Sequence, residues 1–127
     1  MMSRLKEAIA RSALGGIERS EDGVCLRRYC FPADFPGFAG HFPGHPVLPA
    51  VVQLLTAEHL VEAAQGRPLA LGAVEGAKFL REIGPGQEVE VSVRARLAKG
   101  RPAHDCRLRV AEGLAASFLL LPAEEPK

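Results

Sequence analysis

The stretch "PAVVQLLTAEHLVEAAQG", Pro49 to Gly66, narrows the possible folds of this 127-residue chain more than any other segment. It opens on a proline, suited to a first helical turn, and closes on a glycine, suited to a helix end. The pattern predicts a helix over about residues 49–65. Its first half is apolar almost all round, and such a helix is buried on most sides rather than laid on a surface. The rest of the chain has to wrap it.

The residues after Gly66 are suited to wrapping. "EVEVSVRARLA" alternates without a fault, with Val89, Val91, Val93, Ala95 and Leu97 on one face and Glu88, Glu90, Ser92, Arg94 and Arg96 on the other. "DCRLRV" repeats the pattern through Cys106, Leu108 and Val110, and "KGRPAH" between the two predicts a hairpin-type connection that contains His104. "LALGAVEGAKFL" and "LAASFLLL" bring the strands after the helix to four, and "GVCLRRYCF", after the turn signal "EDG", adds one before it. Period-2 alternation with a wet outer face indicates an antiparallel sheet. A curved antiparallel sheet around a central buried helix is the simplest α+β arrangement that buries both. Ahead of it, residues about 3–14 predict a short amphipathic helix stopped by Gly15-Gly16. No repeat or linker divides the chain, so 1–127 is expected to be one domain.

Bulk properties exclude several functions. A net charge of +1 without a basic face argues against nucleic acid as the main partner. No apolar run approaches the ~20 residues of a membrane span, and "MMSRLKEAIARSAL" lacks the apolar core of a signal peptide. Cys25, Cys30 and Cys106 are odd in number and form no CxxC pair, so reduced thiols in a cytoplasmic protein are expected, with no metal site.

The segment ahead of the helix, "FAGHFPGHPVLPAVVQLL", carries more punctuation than a connector needs. It resembles the signature of the beta-hydroxyacyl-ACP dehydratases, in which G-H-F-P-x-x-P-V-x-P-G-V leads into the central helix of a hot-dog fold. "KFLREIGPGQEVEV", Lys78 to Val91, resembles that family's later strand-turn-strand segment. The Gln53-Leu54 pair looks like the aryl-polyene branch of the family.

The resemblance implies a dimer with two sites at the subunit interface, a 3-hydroxyacyl thioester on acyl carrier protein as substrate, and loss of water with no cofactor. It makes His41 the base and has the Val47 carbonyl hold the His41 ring. The Ala50 N–H then donates to the thioester carbonyl, and Phe42 and Gly44 line the substrate site. The chemistry suits these assignments, because histidine titrates near neutrality and a helix start offers free backbone donors to an enolate-like oxygen. The family's acid, a carboxylate supplied by the partner subunit, falls on Leu55, which cannot donate a proton. Glu58 and His59 are the nearest polar neighbours on that helix face. Glu58 either reaches back toward the vacated place or joins Glu62 and Gln65 in a solvated stripe, the more ordinary amphipathic pattern.

Three readings of function remain. The first is a dehydratase that uses His41 with Glu58, His59 or an ordered water. The second is a degenerate hot-dog subunit that binds acyl chains or pairs with an active dehydratase, as a homodimer or hetero-oligomer. The third is an acyl thioesterase, which ranks last because Gln53 is the one polar side chain in the first helical turns. Arg81, Lys99 and Arg101 are available to an acidic carrier protein or are simply solvated.

Overall fold

The computed structural model describes residues 2–38 and 44–124. In chain order it contains helix α1 (Met2–Arg11), strands β1 (Ala13–Arg19) and β2 (Val24–Cys30), and helix α2 (Ala50–Gln65). Strands β3 (Leu71–Phe79), β4 (Glu88–Ala98), β5 (Arg101–Val110) and β6 (Gly113–Pro122) complete it. The six strands form one sheet in the order β1-β2-β4-β5-β6-β3, with every neighbouring pair antiparallel. The concave face of this curved sheet holds α2, which packs on β2, β4 and β5.

The alternation in β4 becomes burial only in part. Val89, Val91 and Val93 are buried, whereas Leu97 is 68% exposed, because the far end of the β4–β5 hairpin runs past the helix. In β5, Cys106, Leu108 and Val110 are buried as their spacing predicts. On the outer face Arg28 joins Glu18, Glu88 and Glu90 across three strands at 2.9–3.6 Å, exposed pairs that each contribute little.

Three expectations need correction. The first helix ends at Arg11 rather than near residue 14. Ser12 stops it by turning back on Ala8, with both its backbone N–H and its hydroxyl donating to the Ala8 carbonyl. The chain then forms β1, a strand that its glycine pair conceals. Gly15, at φ +67, lies in the irregular pairing between Leu14 and Glu18, a bulge that an edge strand tolerates. The β4–β5 turn is only Lys99-Gly100, so His104 stands half-buried in β5 opposite Ala95, where burial lowers its pKa.

An aromatic row runs from the end of β2 into the residues that follow it. Tyr29, Phe31, Phe35 and Phe38 are all buried, with successive centroids 6.4, 4.8 and 5.6 Å apart. Pro49 is the residue before the first helical turn, at extended φ and ψ, and Ala50 begins α2. At the far end Gly66, at φ +72, caps the helix as the left-handed residue that glycine supplies at least cost. The Leu48 N–H donates to the Ile83 carbonyl at 2.7 Å, which fixes the entry to α2 against the β3–β4 loop.

Candidate functional site

A pocket of about 310 Å³ opens beside the start of α2. Val47, Pro49, Ala50 and Gln53 form its helix side, and Phe79, Leu80, Arg81 and Glu82 face them from the end of β3. Val47 and Ala50, both expected at a substrate site, meet here, and Gly44 is exposed on the approach to the helix. His41 and Phe42 lie outside the described residues.

The helix start supplies the chemistry of this pocket. The Val52 and Gln53 N–H groups both donate to the Pro49 carbonyl, at 3.0 and 3.1 Å, so the helical ladder leaves the Ala50 and Val51 N–H groups unused. Gln53 lies one turn below Ala50 on the same face. Its Nε2 donates to the Leu48 carbonyl at 3.1 Å. That bond fixes the amide's orientation and leaves Oε1 a buried acceptor without a partner among the described residues. A helix start whose first N–H groups the ladder leaves unused suits a ligand that brings an acceptor such as a carbonyl oxygen.

The vacated acid position lies elsewhere on α2. Leu55, partly buried, lines a cavity of about 30 Å³ with Lys6, Ile9, Glu58, His59 and Glu62, where α1 meets α2. The expected solvated stripe holds only in part, since Glu62 and Gln65 are half-exposed but Glu58 is not. Glu58 is only 8% exposed, 3.7 Å from the Lys6 ammonium. A Glu62 oxygen accepts from the Leu69 N–H at 2.8 Å, and Gln65 donates to the carbonyls of Arg67 and Pro68. Glu58 is turned inward because α1 covers it, whereas Glu62 and Gln65 stay half-exposed and hold the chain that follows α2.

Electrostatics distinguish the members of this cluster. Burial pushes the Glu58 carboxyl above its ordinary pKa, Glu62 adds to the rise and Lys6 opposes it. Burial lowers the pKa of His59, helped by the nearby Arg27 guanidinium. The Tyr29 hydroxyl, 2.7 Å from His59 Nδ1, is pushed up to about 12 by burial. Nothing in the sequence distinguishes Tyr29 or Lys6, since each is an ordinary member of its strand or helix until the tertiary fold brings it to α2. Among the described residues no three His, Cys, Asp or Glu side chains gather as a metal site, and no helix is long and apolar enough to cross a membrane.

A helix held in the concave face of this antiparallel sheet, with a pocket at the helix start, defines a hot-dog domain. Known proteins agree with this fold. The dehydratase heterocomplex ApeI:P of Xenorhabdus doucetiae superposes with a TM-score of 0.74 at 18% identity, over 86% of this chain and 95% of that one. The E. coli PaaI protein gives 0.64 at 16% identity, over 91% and 86%. The ApeI-like family model, described as ApeI dehydratase, matches residues 17–117, and the chain belongs to this family. FabZ, the 3-hydroxyacyl-(acyl-carrier-protein) dehydratase, is 34% identical in Granulibacter bethesdensis over 59% of this chain and 48% of its own length. The Chloroflexus aggregans FabZ is 34% identical over 70% of this chain and 67% of its own length. The match thus spans about half to two thirds of these relatives.

Proposed function

We propose that this chain eliminates water from a 3-hydroxyacyl thioester carried on acyl carrier protein and releases the trans-2-enoyl thioester. The observation that carries the reading is the pocket at the start of α2, where Ala50 offers an N–H that no described residue uses, beside Val47, in a chain of the ApeI-like dehydratase family. His41 is the base that takes the proton from C2, as the family motif "GHFPGHPVLP" assigns it. The Ala50 N–H holds the thioester oxygen as negative charge builds there. A methyl group at Ala50, where the family's motif has glycine, leaves that donor free.

Glu58 of the partner subunit supplies the acid in place of Leu55, as the family's carboxylate comes from the partner. Its burial favours the protonated form, and it borders the same cavity as Leu55. The C3–O bond breaks as the Glu58 carboxyl gives its proton to the departing oxygen, and water leaves. The proton taken by His41 returns the enzyme to its starting state through solvent.

The site is completed by a second subunit. β3 is an edge strand, and Leu71 and Phe79 on it, Leu80 just after it and Val51 on α2 are 36–59% exposed, an apolar strip suited to a like hot-dog subunit. Arg81 at the pocket mouth suits an acidic carrier protein. A cytoplasmic location follows from that carrier. The alternative of a non-catalytic subunit rests on Leu55, and hydrolysis is disfavoured because the first turns of α2 offer Gln53 and no carboxylate, while Glu82 across the pocket is 68% exposed and lies 3.3 Å from His45.

Mass spectrometry of a 3-hydroxyacyl carrier-protein thioester incubated with the purified protein separates these readings. A product lighter by one water supports the dehydratase, and free acid supports hydrolysis. Binding without product supports the non-catalytic subunit.

A further inference from the structure

The cavity of about 30 Å³ beneath Leu55 has room for little more than a single water or hydroxyl oxygen. His59 lines it, and the orientation of its ring protons follows from one contact. Tyr29 has no exposed surface, and its hydroxyl meets His59 Nδ1 at 2.7 Å. If Nδ1 carried the proton and donated to the Tyr29 oxygen, the Tyr29 O–H would be buried with no acceptor among the described residues, at a cost of roughly 1–3 kcal/mol. If Tyr29 donates, both groups are satisfied. Nδ1 is therefore the acceptor, and Nε2 bears the proton.

His59 Nε2 has no partner among the described residues, yet it is not a buried unsatisfied atom, a state confined there to Gln53 Oε1. His59 is half-buried, and its side chain borders the cavity shared with Leu55 and Glu58. The charged groups around the ring are Glu58 and Glu62 on α2, Lys6 on α1 and Arg27 on β2. Burial keeps the Tyr29 hydroxyl protonated and the His59 ring neutral near pH 7, which preserves this arrangement under working conditions.

We infer that Tyr29 is a positioning residue: by fixing the His59 tautomer from the core, it makes His59 present an Nε2–H donor at the vacated acid position, where it holds the substrate's C3 oxygen. The inference rests on the dehydratase reading. His59 gives up no proton in this role. It orients the departing oxygen toward the Glu58 carboxyl, which does. In this chain the missing carboxylate is thus replaced by two groups, one that donates a proton and one that holds the oxygen.

The test is nitrogen NMR of the full chain labelled with ¹⁵N-histidine at neutral pH. The inference expects a protonated Nε2 and a proton-free Nδ1 for His59. A protonated Nδ1 overturns it. Adding unreactive 3-hydroxyoctanoyl-pantetheine, with an amide in place of the thioester, should shift the Nε2 signal, and octanoyl-pantetheine amide should not. Equal responses to the two also overturn it.

Tyr29→Phe should mix the tautomers and lower kcat at least ~10-fold with KM nearly unchanged, the pattern of a group that orients another. The same change in a His59→Gln background, where the amide donor needs no tautomer, should cost nothing further. Equal losses in both backgrounds would mark Tyr29 as merely structural. If wild type makes no enoyl product while the Nε2 signal still responds to the hydroxyl, the dehydratase reading fails and the Tyr29–His59 assignment stands as a binding device.

Discussion

Replacing Glu58 with Gln separates its structural role from its chemical one. The carboxylate is 8% exposed, and its cationic partner, Lys6, lies at 3.7 Å with a side chain 50% exposed. A pair so open on one side is worth at most ~1 kcal/mol. Burying the charge costs a comparable amount or more. Since burial holds the Glu58 pKa above its ordinary 4.5, the folded state binds the proton more readily than the unfolded chain. The penalty is therefore present above the raised pKa and disappears as pH falls through it to 4.5.

Gln has the shape of the protonated acid without the charge. At pH 8 the variant should match or exceed wild type by up to ~1 kcal/mol, a gain of roughly 3–6 °C in Tm for a domain of this size. By about pH 4, where wild-type Glu58 is protonated, the gap should close. Far-UV circular dichroism melts across this range report it without a tryptophan, which the chain lacks. Turnover should fall by ~10²–10⁴ if Glu58 is the acid. A variant destabilised by more than ~1 kcal/mol at pH 8 that recovers in acid would mean that the charge stabilises the fold, and the reasoning would be refuted.

Other substitutions test neighbouring parts of the account. Gln53→Met removes the hydrogen bond to the Leu48 carbonyl but also the orphaned Oε1, so chemical denaturation should give a stability within ~1 kcal/mol of wild type. A loss beyond ~2 kcal/mol would show that Oε1 has a partner in the folded chain. Gly66→Ala adds a methyl group that meets nothing within 4 Å, yet forces φ +72 on an L side chain. Its melt should show a cost of ~1 kcal/mol from backbone strain alone.

Much of the fold is legible because two periods dominate the sequence. The helix over Pro49 to Gly66 and the alternation over 88–98 each state which face is buried, and a buried helix with alternating strands after it has few ways to close. β1 is not legible, since Gly15-Gly16 breaks any alternation and the strand forms through backbone pairing to β2. The place of His104 is hidden because Arg101-Pro102 resembles a turn, although pairing with β4 already begins there. At the candidate site, motif spacing locates Val47 and Ala50, which depend on chain-local geometry. The environment of Glu58 cannot be read that way. It depends on α1 folding across α2, a contact between residues more than fifty positions apart, and α1 carries no motif that announces it.

The central claim is that His41 moves the C2 proton of a 3-hydroxyacyl thioester. The reverse reaction in heavy water tests it most directly. The protein would be incubated with a trans-2-enoyl carrier-protein thioester in D₂O, and the hydrated product analysed by mass spectrometry and deuterium NMR. The account predicts a 3-hydroxyacyl thioester with one carbon-bound deuterium, at C2, and a rate at least ~10²-fold lower for His41→Ala. Hydration that proceeds equally well without His41, or an enoyl thioester that binds and stays unchanged, would contradict it.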